Sequence, residues 1–210
     1  MAQYYFKTTY PIATGGLTST GLVQGTGFRY PTAQQEIAAN GTGVVVTSED
    51  AGGVRRTVIT LSDHSVAMVD VAGTIAYGKS KVADFDAGHL LFLGAVADLA
   101  LTLDAAGVNA DWDGDFGLGT AGAGADGDLT STEQDLIPKT ATPQASGSAT
   151  TAKGASSTTE SGVVFDGSAT AKDVWFNVLV DDADHDVTTT PTNMILNGTI
   201  VLTYALLGDN

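Results

Sequence analysis

The strongest constraint on the fold is a strand pattern in Val174–Val180. Its side chains alternate, and Val174, Phe176, Val178 and Val180 fall on one wholly apolar face. β-Branched and aromatic residues dominate the segment, as they do in half-buried strands. We therefore predict a strand here that covers a hydrophobic core.

A second and longer pattern occupies Met194–Leu206. Asparagine, threonine and small apolar residues share one face of this segment with Ile195 and Val201. A strand of this length is best placed in the middle of a sheet, where both of its edges are paired. We therefore predict that it ties the last part of the chain into one antiparallel β unit. The opposite face holds Met194, Leu196, Ile200, Leu202, Tyr204 and Leu206.

Shorter strand patterns begin at Gly43 and are separated by turn residues. The 26 glycines of the chain favour such short strands joined by turns. Asp63-His64 predicts a tight turn that joins Thr57–Leu61 and Val66–Val71 as a hairpin. Leu90–Leu103 has the length of a helix, but its Gly94 and its later leucine alternation favour strand. Together these patterns predict an all-β fold, an antiparallel β-sandwich of jelly-roll type. Further strands are predicted over Val44–Thr47, Val54–Ser62 and Val82–Phe85.

The segment before the last two strands is weaker in pattern. Thr130-Ser-Thr-Glu133 matches a capping box and predicts one short helical turn over Ser131–Ile137. Lys139–Ser161 is rich in Ser, Thr, Ala and Gly, which suits either a linker or a weak strand or two at a sheet edge.

Residues 1–40 differ from the rest and are predicted to form an extended arm before a β-sandwich domain over residues 41–210. Tyr4, Tyr5, Phe6 and Tyr10 cluster before Pro11, and a glycine-rich stretch follows. Aromatic residues at this density need a surface to bury against. Two interpretations stay open: the arm closes the core of its own subunit, or it reaches a neighbouring subunit. The N-terminal sequence lacks the basic stretch and the apolar run of a signal peptide, so we do not predict one.

Composition limits the partners. The chain has 24 acidic and 9 basic residues, a net charge of −15, and no cysteine. Such a surface repels nucleic-acid phosphates and anionic membranes, so neither is expected as a partner. No apolar run approaches the length of a transmembrane helix. Disulfides, thiolate metal sites and a cysteine nucleophile are excluded.

Two acidic loops are candidate cation sites. DWDGD at Asp111–Asp115 spaces its carboxylates as a calcium loop does, but Phe116 and Gly122 replace the glycine and glutamate that an EF-hand loop requires. Asp181–Asp186 places four acids in six residues. Both sequences also suit solvated loops, so we predict neither a metal nor a cofactor.

Catalytic motifs are missing from the sequence. His64, His89 and His185 are scattered, and no nucleophile elbow or zinc-binding helix motif occurs. GLGTAGAG at Gly117–Gly124 has neither the preceding strand nor the following helix of a dinucleotide loop. We therefore expect a protein that is not an enzyme.

Several of these segments resemble a family of tailed-bacteriophage virion proteins. The resemblance covers about Val44 to Asn210, and its motifs keep their order and spacing. They are VWFNVLVDDADHD and NGTIVLTYALLGD near the C-terminal end, LLFLGAVADLALTL at Leu90–Leu103, DWDGDFGLGTA at Asp111–Ala121 and TEQDLIPKT at Thr132–Thr140.

The resemblance implies a structural protein of the virion. We expect a head decoration or cement protein on the outer capsid surface, assembled in the host cytoplasm and bound to the major capsid protein. By analogy with jelly-roll virion proteins, a homotrimer is expected, with Tyr4, Tyr5, Phe6 and Tyr10 as the interface. The alternatives are a tail or fibre component, or a glycan- or receptor-binding knob with Trp112 as its exposed aromatic residue. An acidic secreted hydrolase is a third hypothesis.

Overall fold

The structure is a computed structural model, and it describes residues 41–51, 53–71, 75–104, 112–124, 127–146, 148–181 and 192–208. The predicted arm and the division of the chain at residue 40 lie outside these ranges and stay predictions. In the described ranges, the one helical element is the 3-10 turn Ser131–Glu133. Ten strands make up the rest: β1 (Val44–Ala51), β2 (Val54–Val71), β3 (Ile75–Asp84), β4 (Gly88–Asp104), β5 (Gly114–Gly119), β6 (Ile137–Thr142), β7 (Ala149–Ala155), β8 (Val164–Gly167), β9 (Asp173–Asp181) and β10 (Asn193–Gly208).

The strands form a rolled antiparallel ribbon. Strand β5 pairs with β6, β4 with β7, β3 with β9 and β2 with β10, so strands of the first half meet those of the second half in reverse order. Rolling the ribbon brings β10 beside β4 and β9 beside β5. This connectivity is that of a jelly roll and confirms the predicted fold class.

Two sheets result. Sheet A has the order β1-β2-β10-β4-β7, and β8 pairs with the first residues of β4 beyond the reach of β7. Sheet B has the order β3-β9-β5-β6 and is joined by the last residues of β2. The predicted central position of the C-terminal strand is confirmed, because β10 is paired on both edges.

The apolar faces of the two sheets meet in one core. On β9 and β10 the alternation predicted from sequence is the one observed: Val174 and Phe176, like Leu196 and Leu202, are fully buried. A branched or aromatic side chain stabilises a core of this kind by about 1.5–3 kcal/mol. At the edge, a Cβ at Gly154 of β7 would lie 2.7 Å from a ring carbon of Phe116, so the glycine lets β7 pack closely on sheet B.

The predicted hairpin at Asp63-His64 is wrong, because β2 runs through these residues without turning back. Leu61 pairs with Gly198 and His64 with Leu196, so β2 carries an extra residue opposite Asn197. Asp63 has φ +50°, and the Asn197 Oδ1 accepts its backbone N–H at 2.9 Å. The residues that favour a turn make a β-bulge instead, and β2 passes from sheet A to sheet B.

The two weaker predictions are resolved. Ser131–Glu133 is the predicted helical turn, and the Glu133 carboxylate accepts the backbone N–H of Thr130 at 2.8 Å. Lys139–Ser161 is not a linker: it contributes to the edge strands β6 and β7.

Candidate interaction surface

The two histidines that the structure describes, His64 and His89, lie far apart. His64 is buried on β2, where its Nδ1 lies 2.8 Å from the Thr42 carbonyl oxygen and its Nε2 lies 2.8 Å from Ser80 Oγ. His89 lies 3.6 Å from the exposed Asp166. His64 pairs with Leu196 and His89 pairs with Gly208, which are at opposite ends of β10. The length of strand between these two positions puts the histidines about 40 Å apart. His185 lies outside the described residues.

The structure contradicts one candidate binding residue and does not test the two candidate cation sites. Trp112, the predicted glycan-binding aromatic residue, is fully buried, and its indole N–H donates to the Ser148 carbonyl at 2.9 Å. Asp111 and residues 182–191 are outside the described ranges, so cation binding at these two loops is not tested. Within the ranges described, no three metal-ligating side chains converge.

A buried polar network holds the connection between β3 and β4. The Arg55 guanidinium on β2 donates to Asp86 Oδ2, and the Tyr204 hydroxyl on β10 donates to the same oxygen at 2.9 Å. Because Tyr204 donates to Asp86, it accepts from Thr57 at 3.4 Å. Every one of these four side chains is buried, so the network is closed to a substrate and is structural.

The ionisation of the network follows from its burial. Burial raises the pKa of Tyr204, and the charge of Asp86 raises it further, so the phenol stays protonated. Burial alone would lower the pKa of Arg55, but the attraction and hydrogen bonds of Asp86 and Tyr204 together outweigh it and the pKa is raised. A charged Arg55–Asp86 pair therefore lies inside the sandwich, with a neutral phenol as third member.

The outer face of sheet B is covered by the connection between β5 and β6. Asn177 on β9 is fully buried there: its Nδ2 donates to the carbonyls of Ala121 and Glu133 at 2.9 and 2.7 Å, and its Oδ1 accepts from Ala123 N–H at 2.8 Å. Next to it, Leu179 packs with Ala123 and Leu129 in a second small cluster. The chain itself thus shields Leu179 on this outer face, whereas Val69, in the same cross-strand row at the edge of the sheet, is 48% exposed.

Asp135, in the same covering segment, accepts from the backbone N–H and the hydroxyl of Thr120, both at 2.7 Å. Burial raises its pKa although these hydrogen bonds lower it. Asp128 is exposed, and its hydrogen bond from Lys139 lowers its pKa. The two carboxyl groups therefore couple folding to pH in opposite directions.

We expect Asp135→Asn to change the pH dependence of stability. A raised pKa gives stability that is complete below the ordinary value of about 3.9 and is lost as pH rises through the raised value. As the pH rises from 4 to 8, the free energy of unfolding of Asp135→Asn should therefore increase relative to that of the parent, as measured by urea unfolding. The control Asp128→Asn should differ from the parent by a constant amount between pH 4 and pH 8, because a lowered pKa confines the change to pH values below about 3.9. A curve for Asp135→Asn that runs parallel to that of the parent over this range would contradict the coupling.

The outer face of sheet A is apolar and uncovered by the described residues. Val164, Leu91, Ala205 and Val54 are successive cross-strand partners on β8, β4, β10 and β2. Direct partners share a face, so these four residues form one continuous row. Val164 is 55% exposed and Val54 37%.

A second row runs parallel to the first. Val96, Val201 and Val58 are partners across β4, β10 and β2, and Val96 is 52% exposed. Leu93 lies between the rows at a bulge of β4 and is exposed, as is Leu207 at the end of β10. We name these residues the outer apolar face: Val54, Val58, Leu91, Leu93, Val96, Val164, Val201, Ala205 and Leu207.

The outer apolar face is unusual for an antiparallel sheet, whose solvent side is normally polar. Apolar residues that are contiguous across four strands mark an interaction site more often than isolated exposed ones do. Arg56 lies between the two rows, as the partner of Thr203 on β10 and of Glu49 on β1, so a cation and an anion interrupt the apolar surface. This surface is the candidate functional site of the protein.

Sequence reasoning did not find this surface. Its one signal is that Leu91, Leu93 and Val96 lie on the side of β4 opposite the buried Leu90, Phe92 and Ala95. Tyr4, Tyr5, Phe6 and Tyr10, the predicted interface residues, are outside the described part of the chain. No helix in that part has the length and apolarity of a membrane span.

Comparisons with known proteins give little. No protein-family model and no curated protein matches the chain. Among solved structures, a chain of the "Cyanophage Pam1 capsid asymmetric unit" matches at 15% identity with a TM-score of 0.29, over 86% of this chain and 98% of that chain. A likeness at this TM-score shows neither a shared fold nor a shared role. The strand pairings alone identify the jelly roll.

Proposed function

We propose that the protein is a structural component of a bacteriophage virion, and more narrowly a decoration protein that binds the outer surface of the head. The observation that carries the proposal is the outer apolar face of the jelly roll, which no described residue covers. The motif resemblance at Leu90–Leu103 and in the last strands supports the same role.

The mechanism would be a clamp between neighbouring capsid subunits. A protein that binds only the assembled lattice stabilises that lattice by mass action. Residues 41–210 carry 7 basic and 23 acidic side chains, a net charge of 7 − 23 = −16. This charge keeps the molecule away from packaged nucleic acid and favours a protein surface as the partner. A homotrimer on a local three-fold axis of the shell is part of the proposal.

Two other functions lose their support. A glycan-binding knob needs exposed aromatic side chains, and Trp112 is in the core. A hydrolase needs an accessible nucleophile next to a base that an acid orients. His64 lies 2.8 Å from Ser80 Oγ, but the imidazole is buried and its other nitrogen faces the Thr42 carbonyl oxygen and not a carboxylate.

Cryo-electron microscopy of the native particle tests the location. We expect density for a jelly roll on the outer surface of the capsid, repeated at the joints between major capsid subunits. Absence of the protein from purified virions, shown by mass spectrometry, would reject the proposal. Density at the tail or fibres alone would keep the virion role and reject decoration.

Removal of residues 1–12 tests the proposed interface of Tyr4, Tyr5, Phe6 and Tyr10. We expect weaker association between subunits and with capsids, because each aromatic side chain buries on the order of 150–250 Å². Circular dichroism should show the β core melting at the parent temperature, since the core described here lies after residue 41. Unchanged sedimentation and capsid binding would reject an anchoring role, and a collapsed melting transition would place the segment in its own subunit's core.

A further inference from the structure

We infer that the outer apolar face of sheet A meets an uncharged, apolar surface of the major capsid protein, with sheet A turned toward the head and sheet B away from it. The inference rests on the proposed decoration role, and it adds which side of the jelly roll binds and what chemistry the partner presents. Three observations carry it: the contrast between the two outer faces, the pairing of the charges on sheet A, and the size of the face.

The two outer faces of the sandwich differ in what covers them. On sheet B, the connection between β5 and β6 packs over Asn177 and Leu179, which are buried. On sheet A, no described residue covers Val96 or Val164, and each is more than half exposed. Apolar side chains that line up across neighbouring strands form the kind of surface that packs against another apolar surface. Among the described residues, sheet A therefore presents the larger apolar surface that is left to bury.

The charged side chains between the apolar rows of sheet A occur in pairs of opposite sign. Lys153 Nζ on β7 lies 3.0 Å from Asp98 Oδ2 on β4, and Arg56 on β2 is the cross-strand partner of Glu49 on β1. These two pairs cancel, so the net charge of −16 on residues 41–210 comes from other positions. An apolar partner covers paired charges at a lower cost than unpaired ones. This side of the molecule therefore fits an uncharged surface better than a basic or an acidic one.

The face has the size of a specific protein contact. Its rows cross five strands about 4.8 Å apart, and Leu91 to Asp98 of β4 are eight residues at about 3.4 Å each, so it measures about 24 by 27 Å, or about 650 Å². One partner in a standard interface contributes about 800 Å². The face is therefore large enough to hold the protein on a partner by itself.

A second copy of the chain fits this face less well. Two identical faces make a two-fold contact that closes as a dimer, whereas the proposed homotrimer needs contacts between two different surfaces. Stacked faces would also bring two domains of charge −16 to within the roughly 10 Å that separates packed sheets, and like charges repel at that distance. A different protein avoids both problems, and the major capsid protein is the partner that the proposed function supplies.

Acetylation of lysines on native heads, compared with the released protein, tests which side is buried. Lys153 is on the outer side of sheet A with 70% of its side chain exposed, and Lys139 is on the outer side of sheet B with 38% exposed. On the head, we expect the acetylation rate of Lys153, read by mass spectrometry, to fall about tenfold or more, while that of Lys139 stays within about twofold. Equal labelling of Lys153 on and off the head, or protection of Lys139 instead, would overturn the inference.

The same labelling of the free protein detects a different cover. We expect Lys153 to react at one rate from dilute to concentrated protein, and faster than Lys139. Protection of Lys153 that grows with protein concentration would show that a second copy covers the face. A Lys153 that reacts more slowly than Lys139 at every concentration would show that the same chain covers it. Either result overturns the inference.

Two matched substitutions give an independent readout. Val96→Glu on sheet A and Val69→Glu on the sheet B side replace valines that are 52% and 48% exposed. Only the first buries an unpaired charge in the contact, so we expect the affinity for heads that lack the protein to fall about tenfold or more in Val96→Glu alone. Melting by circular dichroism should match the parent in both variants, because both side chains are exposed. Binding of Val96→Glu with the parent affinity would overturn the inference.

Reversal of one charge at a time tests the chemistry of the partner. Asp98→Lys leaves two cations side by side on the face, and Lys153→Glu leaves two anions. An apolar surface solvates neither, so we expect each variant to bind heads about fivefold more weakly or worse. Tighter binding of either variant would show that the capsid presents the opposite charge, and it would overturn the uncharged contact.

Failure of the inference is distinguishable from failure of the proposed function. Absence of the protein from purified heads rejects the decoration role and this inference with it. Presence on heads with Lys153 fully reactive, or with Val96→Glu bound as tightly as the parent, keeps the decoration role and rejects the inference alone.

Discussion

A chain that lacks Met194–Asn210 will not fold cooperatively. Strand β10 is paired with β2 on one edge and β4 on the other, so its loss leaves two rows of backbone groups unpaired in the middle of sheet A. It also removes the fully buried Ile200, Leu202 and Tyr204 from the core. Removing several core side chains at about 2–5 kcal/mol each exceeds the 5–15 kcal/mol stability of an ordinary domain. Thermal unfolding followed by circular dichroism measures the effect.

The controls separate loss of the strand from loss of length. Removal of residues 209–210, which lie beyond β10, should leave the melting transition at the parent temperature. Within the strand, Leu202→Asp puts a charge in the core and should abolish soluble folding, whereas Thr199→Lys on the exposed face, opposite Asp98, should be tolerated. A cooperative transition near the parent temperature in the chain without Met194–Asn210 would refute the central role of β10.

Replacing Asp86 by Ala will cost about 3 kcal/mol of folding free energy, the lower end of the usual cost of breaking a buried ion pair. Arg55 is only 3% exposed and would keep Asp50, 3.9 Å from its guanidinium, as its remaining carboxylate, while the Tyr204 hydroxyl would lose its acceptor. Urea unfolding at neutral pH measures the loss. The control Asp98→Ala removes an ion pair with Lys153 in which both side chains are more than 60% exposed, and its effect should be far smaller.

A double-mutant cycle shows whether the pair itself stabilises the protein. Arg55→Met and Asp86→Leu should each destabilise, because each leaves one buried charge, while the double variant should be more stable than either single one. Additive effects of the two substitutions would contradict a direct coupling. The network would then act through packing alone.

Local pattern was enough for the two long core strands and for the helical turn, although it did not predict β5 and β8. Alternation of apolar residues in Val174–Val180 and Met194–Leu206 predicted two core strands, and the edge-strand alternative for Lys139–Ser161 proved right. The capping box at Thr130 likewise predicted a helical turn. These predictions hold because side-chain period and capping depend on residues close in the chain.

The failures share one cause. Asp63-His64 has the composition of a turn, yet pairing with Asn197 makes it a bulge inside one long strand. Trp112 sits in an acidic loop sequence, but its indole finds an acceptor 36 residues away and becomes core. In both places a long-range contact overrides a local preference.

The sequence by itself determined that the chain is all-β, which strand faces are apolar and that a catalytic motif is missing from it. Only the tertiary structure decided which apolar faces are covered. Arg55 and Asp86 are 31 residues apart, and the row from Val164 to Val54 draws on four strands from both ends of the domain. Alternation assigns a residue to one of two faces, but strand register and packing decide which face meets the core and which remains open to a partner.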